Sequence, residues 1–292
     1  MHQITVTLPA PLGELHRFPT NVDDSRIPRI LGTRRHALGG TEVTAVARPS
    51  RMPPHRTTVQ DMWQMMDLLY AHKKDMVAPE DALPGRADYP YPLAREHLVL
   101  GTDMLGPDAP QDPRPWPKGA EELILAGGCF WGIERIAWQI PGVHTTSSGY
   151  AGGYTPHPTY EEVFSAKTGH TEAVRVIYSG GEETLRALLT QFWQQHDPTT
   201  ANRQGNDVGT EYRSAVYWTS ESQGEVVRES VARYQVALDE AGRGRITTEL
   251  KPLAEAGDGV YYTGEPVHQQ YLHVNPGGYC NHGFNGVACS IG

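Results

Sequence analysis

The hexapeptide Gly127-Gly128-Cys129-Phe130-Trp131-Gly132 joins a largely apolar run, residues 121–126, to a segment whose apolar positions Ile133, Ile136, Ala137 and Ile140 step by three and four. This pattern predicts a strand turning into a helix that Pro141-Gly142 stops, with Cys129 at or near the helix N-terminus. Unpaired N–H groups and the positive end of the helix dipole favour a thiolate there, which suits a nucleophile. A buried, inert cysteine at a strand–helix junction fits the hexapeptide equally well. Residues 149–160 form a turn-rich stretch with the three phenols Tyr150, Tyr154 and Tyr160. They can donate hydrogen bonds into a cleft or simply pack a surface loop. Thr168-Gly169-His170-Thr171-Glu172 opens a strand with a carboxylate; buried, it becomes a proton donor near neutral pH, and exposed it is an ordinary strand-end residue. Residues 202–214 make a polar, Gly-punctuated loop of the kind that carries sites or merely connects elements.

Such residues need a scaffold, and the pattern around them supplies one. Strands are expected at 121–126, 143–150, 171–178, 214–218 and 246–250. In the third, Glu172, Val174, Val176 and Tyr178 share one face and Ala173 and Ile177 the other. Leu185, Leu188, Leu189 and Phe192 mark a second amphipathic helix, ended at Asp197-Pro198. Ser220 and Gln223 form a capping box for a long helix reaching about Glu240. The order β-α-β-β-α-β from 121 to 218 predicts an α+β fold: a ferredoxin-like split βαβ core with an added helix and strand. Beyond about Asn275, Gly277, Gly278, Gly283 and Gly286 predict a mobile Gly-rich coil tail.

Upstream, 16 of the 23 prolines fall within residues 1–118, and residues 1–77 carry ten Lys/Arg against seven Asp/Glu. Only residues 59–72 there read as helix, through Met62, Trp63, Met66, Leu69 and Tyr70. Residues 1–77 are therefore expected to be a poorly structured extension, or an over-long gene model starting at an internal Met65, Met66 or Met76. Residues 78–120 are expected to be a Pro-rich lead-in packing on the core. The net charge of −9, without a Lys/Arg-rich tract, argues against a nucleic-acid partner. No apolar run is long enough to cross a bilayer. The N-terminus lacks a secretory pattern, and Glu14, Asp23 and Asp24 oppose a transit peptide, so cytoplasmic residence is expected. Cys129, Cys280 and Cys289 are too few, and odd in number, for a secreted disulfide scaffold.

Taken together, GCFWG, GYAGGYTPHPTYEEV, TGHTEAVRV, NRQGNDVGTEYRSAVY and HQQYLHVNPGGYC, in this order and spacing, resemble the peptide methionine sulfoxide reductase A family. The resemblance runs from about residue 118 to the C-terminus, with a fainter likeness beginning near residues 78–86; the first 70 or so residues match nothing recognised. It implies that 121–292 is a catalytic domain with a recycling tail, 275–292, reducing free and protein-bound methionine S-sulfoxide without a cofactor or metal. Cys129 matches the nucleophile that attacks the sulfoxide sulfur, and Glu172 the carboxyl that protonates its oxygen. Phe130 and Trp131 match aromatics that receive the substrate methyl group. Tyr160 and Tyr212 match phenols that bind the oxygen, and Asp207 an acid linked to the site through water. The sulfenic acid left on Cys129 would be resolved by Cys280, and Cys289 would pass the disulfide to thioredoxin or a similar reductant. Tail spacing varies in this family, so the resemblance leaves the order of the relay open. A monomer is expected.

Two other chemistries use the same residues. A structural zinc ion could be held by Cys280 and Cys289 with His282 or His273, although no CxxC pair is present and GCFWG is left unexplained. A cysteine hydrolase could pair Cys129 with His170 or His196, but then the two terminal cysteines have no use.

Overall fold

The protein is described by a computed structural model over residues 73–289 and Ile291. The helix expected at 59–72 lies outside the described residues. In chain order the strands are β1 (Glu121–Gly127), β2 (Val143–Ala151), β3 (Thr171–Tyr178), β4 (Arg203–Gln204), β5 (Asp207–Val208), β6 (Ser214–Trp218), β7 (Glu249–Pro252) and β8 (Tyr262–Thr263). The helices are α1 (Phe130–Ala137), α2 (Tyr160–Phe164), α3 (Gly181–Gln195), α4 (Glu221–Glu240) and α5 (Tyr271–Val274).

Strand β3 is buried at every position because its two faces meet different layers. Val174, Val176 and Tyr178 pack with Leu185, Leu188, Leu189, Phe192 and Trp193. Ala173 packs on the opposite side with Ile124, Ala126, Ala215 and Tyr261. The sheet order is β7-β6-β1-β3-β2-β8, antiparallel except for β6–β7. Two crossovers, β1-α1-β2 and β3-α3-β6, interleave to give the central β6-β1-β3-β2. One consequence matters for chemistry: the ends of β1 and β2 and the starts of β3 and β6 lie at a single sheet edge.

Helix α4 begins at the expected capping box, in which Ser220 accepts from the Gln223 N–H and Gln223 reaches back to the Ser220 N–H. Helix α1 is shorter than its apolar pattern: after Ala137 the chain turns through Gln139 and Ile140 to Gly142, whose φ of +93° needs a glycine. The strand expected at 246–250 is displaced to 249–252. Ile246 and Thr247 give their N–H groups to the Gln235 side chain and the Pro198 carbonyl instead of to the sheet.

The tail is coil, as its glycines predict, but it is fastened down, contrary to the expectation of a mobile segment. The Gly283 N–H donates to Gln195, and Asn285 Nδ2 donates to the Trp193 and His196 carbonyls at 2.8 and 2.6 Å. Tyr234 donates to the Val287 carbonyl, and Val287 and Ile291 are buried. Residues 104–116 of the lead-in pack on the second face of the sheet. There the buried Arg175 donates to Asp108 and the Met104 carbonyl and lies over Trp116 and Tyr261. Lys73 reaches the buried Glu211 at 2.8 Å. Among the described residues no helix is long and apolar enough to cross a membrane.

Candidate active site

Cys129 follows β1 after a single residue, Gly128, and is the N-cap of α1. Gly128 makes the turn possible, since its φ is +89° and a Cβ there would lie 2.4 Å from Cβ of Gln204. Glu172, second residue of β3, reaches the same helix end and accepts the Phe130 N–H on Oε2 at 3.0 Å. The next N–H, of Trp131, faces the Cys129 sulfur. Acid and thiol thus share one helix terminus, and both are withdrawn from water, with 3% and 5% of their surface exposed.

Burial governs the charge state of both. It pushes the Glu172 carboxyl well above the usual carboxylate range; the Phe130 N–H opposes this, and the charges of Asp207 and Glu211 add to it. It likewise pushes the Cys129 thiol well above its ordinary value, helped by Glu172, Asp207 and Cys280 and opposed by the Trp131 N–H. The thiolate expected from the helix terminus alone is therefore not the resting form. One turn of helix dipole is outweighed by desolvation and nearby carboxyls.

An aromatic wall stands beside this pair. Phe130, fully buried, lies 6.3 Å from the Tyr160 ring, 6.0 Å from Tyr150 and 5.1 Å from His268, between centroids. Trp131 stacks on Tyr271 at 3.8 Å and 18° between planes, and its Nε1 donates to His268 Nδ1. The Tyr212 phenol lies close enough to Tyr160 to act on it. Burial first, then the charge of Glu172, raises both phenols, so both keep their protons and remain donors. Asp207 lies on the β4–β5 hairpin, its Oδ1 accepting from Tyr279 at 3.0 Å and Oδ2 from Asn281 at 2.8 Å. Burial raises it too, against those two donors.

Cys129, Glu172, Phe130, Trp131, Tyr160, Tyr212, Asp207 and Cys280 are thereby gathered at the sheet edge. Cys289 is not among them. Its carbonyl accepts from Gln194 at 2.9 Å and its sulfur lies 3.9 Å from the Arg233 carbonyl, along α3 and α4. All three cysteines are free thiols. Sequence reasoning assigned no role to His268, Tyr271 or Glu265, which accepts from Tyr150 OH at 2.6 Å and the Tyr160 N–H at 2.7 Å. His268 and Tyr271 do fall inside the HQQYLHVNPGGYC stretch, where the signal was available. Glu265 carried none.

The alternatives find no geometry. Among the described residues no group of three His, Cys, Asp or Glu side chains could hold a metal ion. His170 accepts the Gly153 N–H and donates to the Thr155 carbonyl, and His196 bonds the Phe192 carbonyl and Ser214. Both rings are thus committed away from Cys129.

The sequence model of the family described as peptide methionine sulfoxide reductase matches residues 121–288. The chain is 49% identical over 226 residues to peptide methionine sulfoxide reductase MsrA 1 of Caulobacter vibrioides, covering 77% of this chain and 98% of that protein. To the MsrA of Salinispora arenicola it is 50% identical over 222 residues, covering 75% and 94%. Among solved structures, methionine sulfoxide reductase A of Corynebacterium diphtheriae superposes with a TM-score of 0.62 at 44% identity, covering 75% of this chain and 99% of that one. These alignments are longer than the stretch from 121 to the C-terminus, so the likeness includes part of the lead-in.

Proposed function

The chain belongs to the peptide methionine sulfoxide reductase family and is an oxidoreductase of the MsrA type, and from that premise we propose that Cys129 is its nucleophile and Glu172 its proton donor. A sulfoxide is a poor electrophile until its oxygen is protonated, so thiol and acid must converge on adjacent atoms. The observation that carries the assignment is the shared helix terminus: Phe130 N–H holds Glu172 beside the cysteine that caps the same helix. Burial keeps Glu172 protonated where an exposed carboxyl would be ionised. Cys129 sulfur attacks the sulfoxide sulfur as Glu172 protonates the oxygen. The protonated oxygen passes from the substrate sulfur to the Cys129 sulfur as the transient S–S bond and the sulfoxide S–O bond break, so methionine leaves, Cys129 becomes a sulfenic acid, and the thiol proton replaces the one Glu172 gave up.

In this reading Phe130 and Trp131 accept the substrate methyl group, Tyr160 and Tyr212 donate to the oxygen, and free and protein-bound methionine sulfoxide are both substrates. Cys280 resolves the sulfenic acid and Cys289 hands the disulfide to thioredoxin or a similar dithiol. Three free thiols suit a reducing compartment, and cytoplasmic residence belongs to the same reading. Turnover of each sulfoxide epimer with thioredoxin and its reductase tests it. Consumption of the S epimer alone is expected; equal consumption of the R epimer would contradict the proposed pocket.

A further inference from the structure

Four consecutive tail residues, 279–282, engage α1 and the β4–β5 hairpin through side chains that the reduction step leaves unused. Arg135 Nη2 donates to Cys280 Sγ at 3.2 Å. Asn281 Nδ2 donates to the Gln204 carbonyl and to Asp207 Oδ2, both at 2.8 Å. His282 Nε2 donates to the Gly127 carbonyl at 2.7 Å. Its ring lies against Gly132, where a Cβ would come within 2.1 Å of Nδ1. Burial holds this imidazole down at about 4, so the neutral ring with its proton on Nε2 suits the carbonyl throughout the physiological range. Tyr279 occupies the other oxygen of Asp207. Both carboxylate oxygens of Asp207 are therefore engaged by the tail, and the sulfur between these anchors is held by a cation.

We propose that Arg135 presents Cys280 for disulfide formation with Cys129, and that Asn281 and His282 are positioning residues that dock the tail on the β4–β5 hairpin and on α1 before the sulfenic acid forms. This rests on the reading of Cys280 as the resolving thiol. Cys280 attacks as its thiolate, the form that accepts a guanidinium hydrogen bond best. An S–S bond forms to Cys129 and the S–O bond breaks. Hydroxide leaves and takes up a proton as water; the Cys129 sulfur is reduced and the Cys280 sulfur oxidised by one electron each. Cys280 is near enough for its charge to be felt at Cys129. Docking in advance replaces a search by a flexible arm with a reaction between pre-oriented atoms. Arginine suits the task because its charge is permanent and its planar fork is rigid.

The test uses the full, reduced enzyme and one equivalent of methionine S-sulfoxide without external reductant. Released methionine, dione-trapped Cys129 sulfenic acid and the Cys129–Cys280 disulfide are followed by rapid quench and mass spectrometry. In Arg135→Gln the disulfide should form about tenfold or more slowly while sulfenic acid accumulates, as expected for loss of a charged hydrogen bond. The methionine burst should keep its amplitude, which an unfolded variant would lose. Arg135→Lys should recover part of the rate, and Asn281→Ala with His282→Ala should slow it. Wild-type disulfide formation in Arg135→Gln, with none in Cys280→Ser, overturns the role of Arg135 and spares the resolving role of Cys280. A wild-type enzyme that never links Cys129 to Cys280 overturns both.

Discussion

Cys129 and Glu172 each occupy surroundings that penalise their charged form, and the Glu172 charge adds to the penalty at Cys129. Placed as they are, the pair favours thiol and carboxylic acid together, the state in which a sulfoxide oxygen can be protonated as sulfur attacks. Glu172→Gln keeps shape but removes the proton, and the single-turnover rate should fall about 10²-fold or more. The pH profile has a definite sign. Because the Glu172 carboxyl is raised, activity is expected below that raised value and declines as pH rises through it; the Gln variant should lack this alkaline limb. A wild-type rate of Cys129 oxidation in Glu172→Gln from mildly acidic to mildly alkaline pH would remove the acid from the mechanism. Both residues were legible in sequence, because each sits in a recognisable stretch at a strand end. Their charge states were not. Helix position alone pointed to a thiolate, whereas burial by the tertiary fold decides, and Asp207, from a distant hairpin, adds to it.

At the scale of elements, α1 organises the site from both ends. Its N-terminus carries Cys129 and holds Glu172, and one turn further on the fully buried Glu134 accepts the Gln270 N–H at 2.8 Å and Gln270 Nε2 at 2.7 Å. Gln270 has a left-handed φ of +46°, and the next residue, Tyr271, stacks on Trp131. Burial pushes Glu134 up to about 7 against the Gln270 and Thr146 donors. A carboxyl raised on folding contributes stability that is complete below its unfolded value and is lost as pH rises through about 7. Wild-type stability should therefore fall by about 1 kcal/mol more than that of Glu134→Gln as pH rises from about 6 to 8. Parallel thermal unfolding profiles for the two proteins would contradict this. The elements themselves were largely legible: β3, β6 and α4 coincide with their hydrophobic patterns and cap. β7 was shifted because the partners of Ile246 and Thr247 are tertiary, and α1 was shortened by the Gly142 turn.

For the whole molecule, reading residues 1–77 as a poorly structured extension implies that a chain beginning at Met76 would fold normally. The structure argues otherwise, because Lys73 is buried, pairs with Glu211 and lies over the Phe164 ring. Removing one partner of a buried pair costs roughly 3–5 kcal/mol, so a Met76 start should unfold at clearly lower denaturant than a Met66 start, which keeps Lys73. Identical midpoints would show the pair to be dispensable. No periodicity reveals such a contact, since lysine at a lead-in reads as solvated. The tail misled in the same way: its glycines indicate coil, but Asn285, Val287 and His282 decide that the coil is fastened. The central claim, that Cys129 alone performs the reduction, is met most directly by one measurement. The doubly substituted Cys280→Ser, Cys289→Ser enzyme, given excess methionine S-sulfoxide and no reductant, should release one methionine per chain and carry a trappable sulfenic acid on Cys129. Release of no methionine, or a label on any other residue, would contradict it.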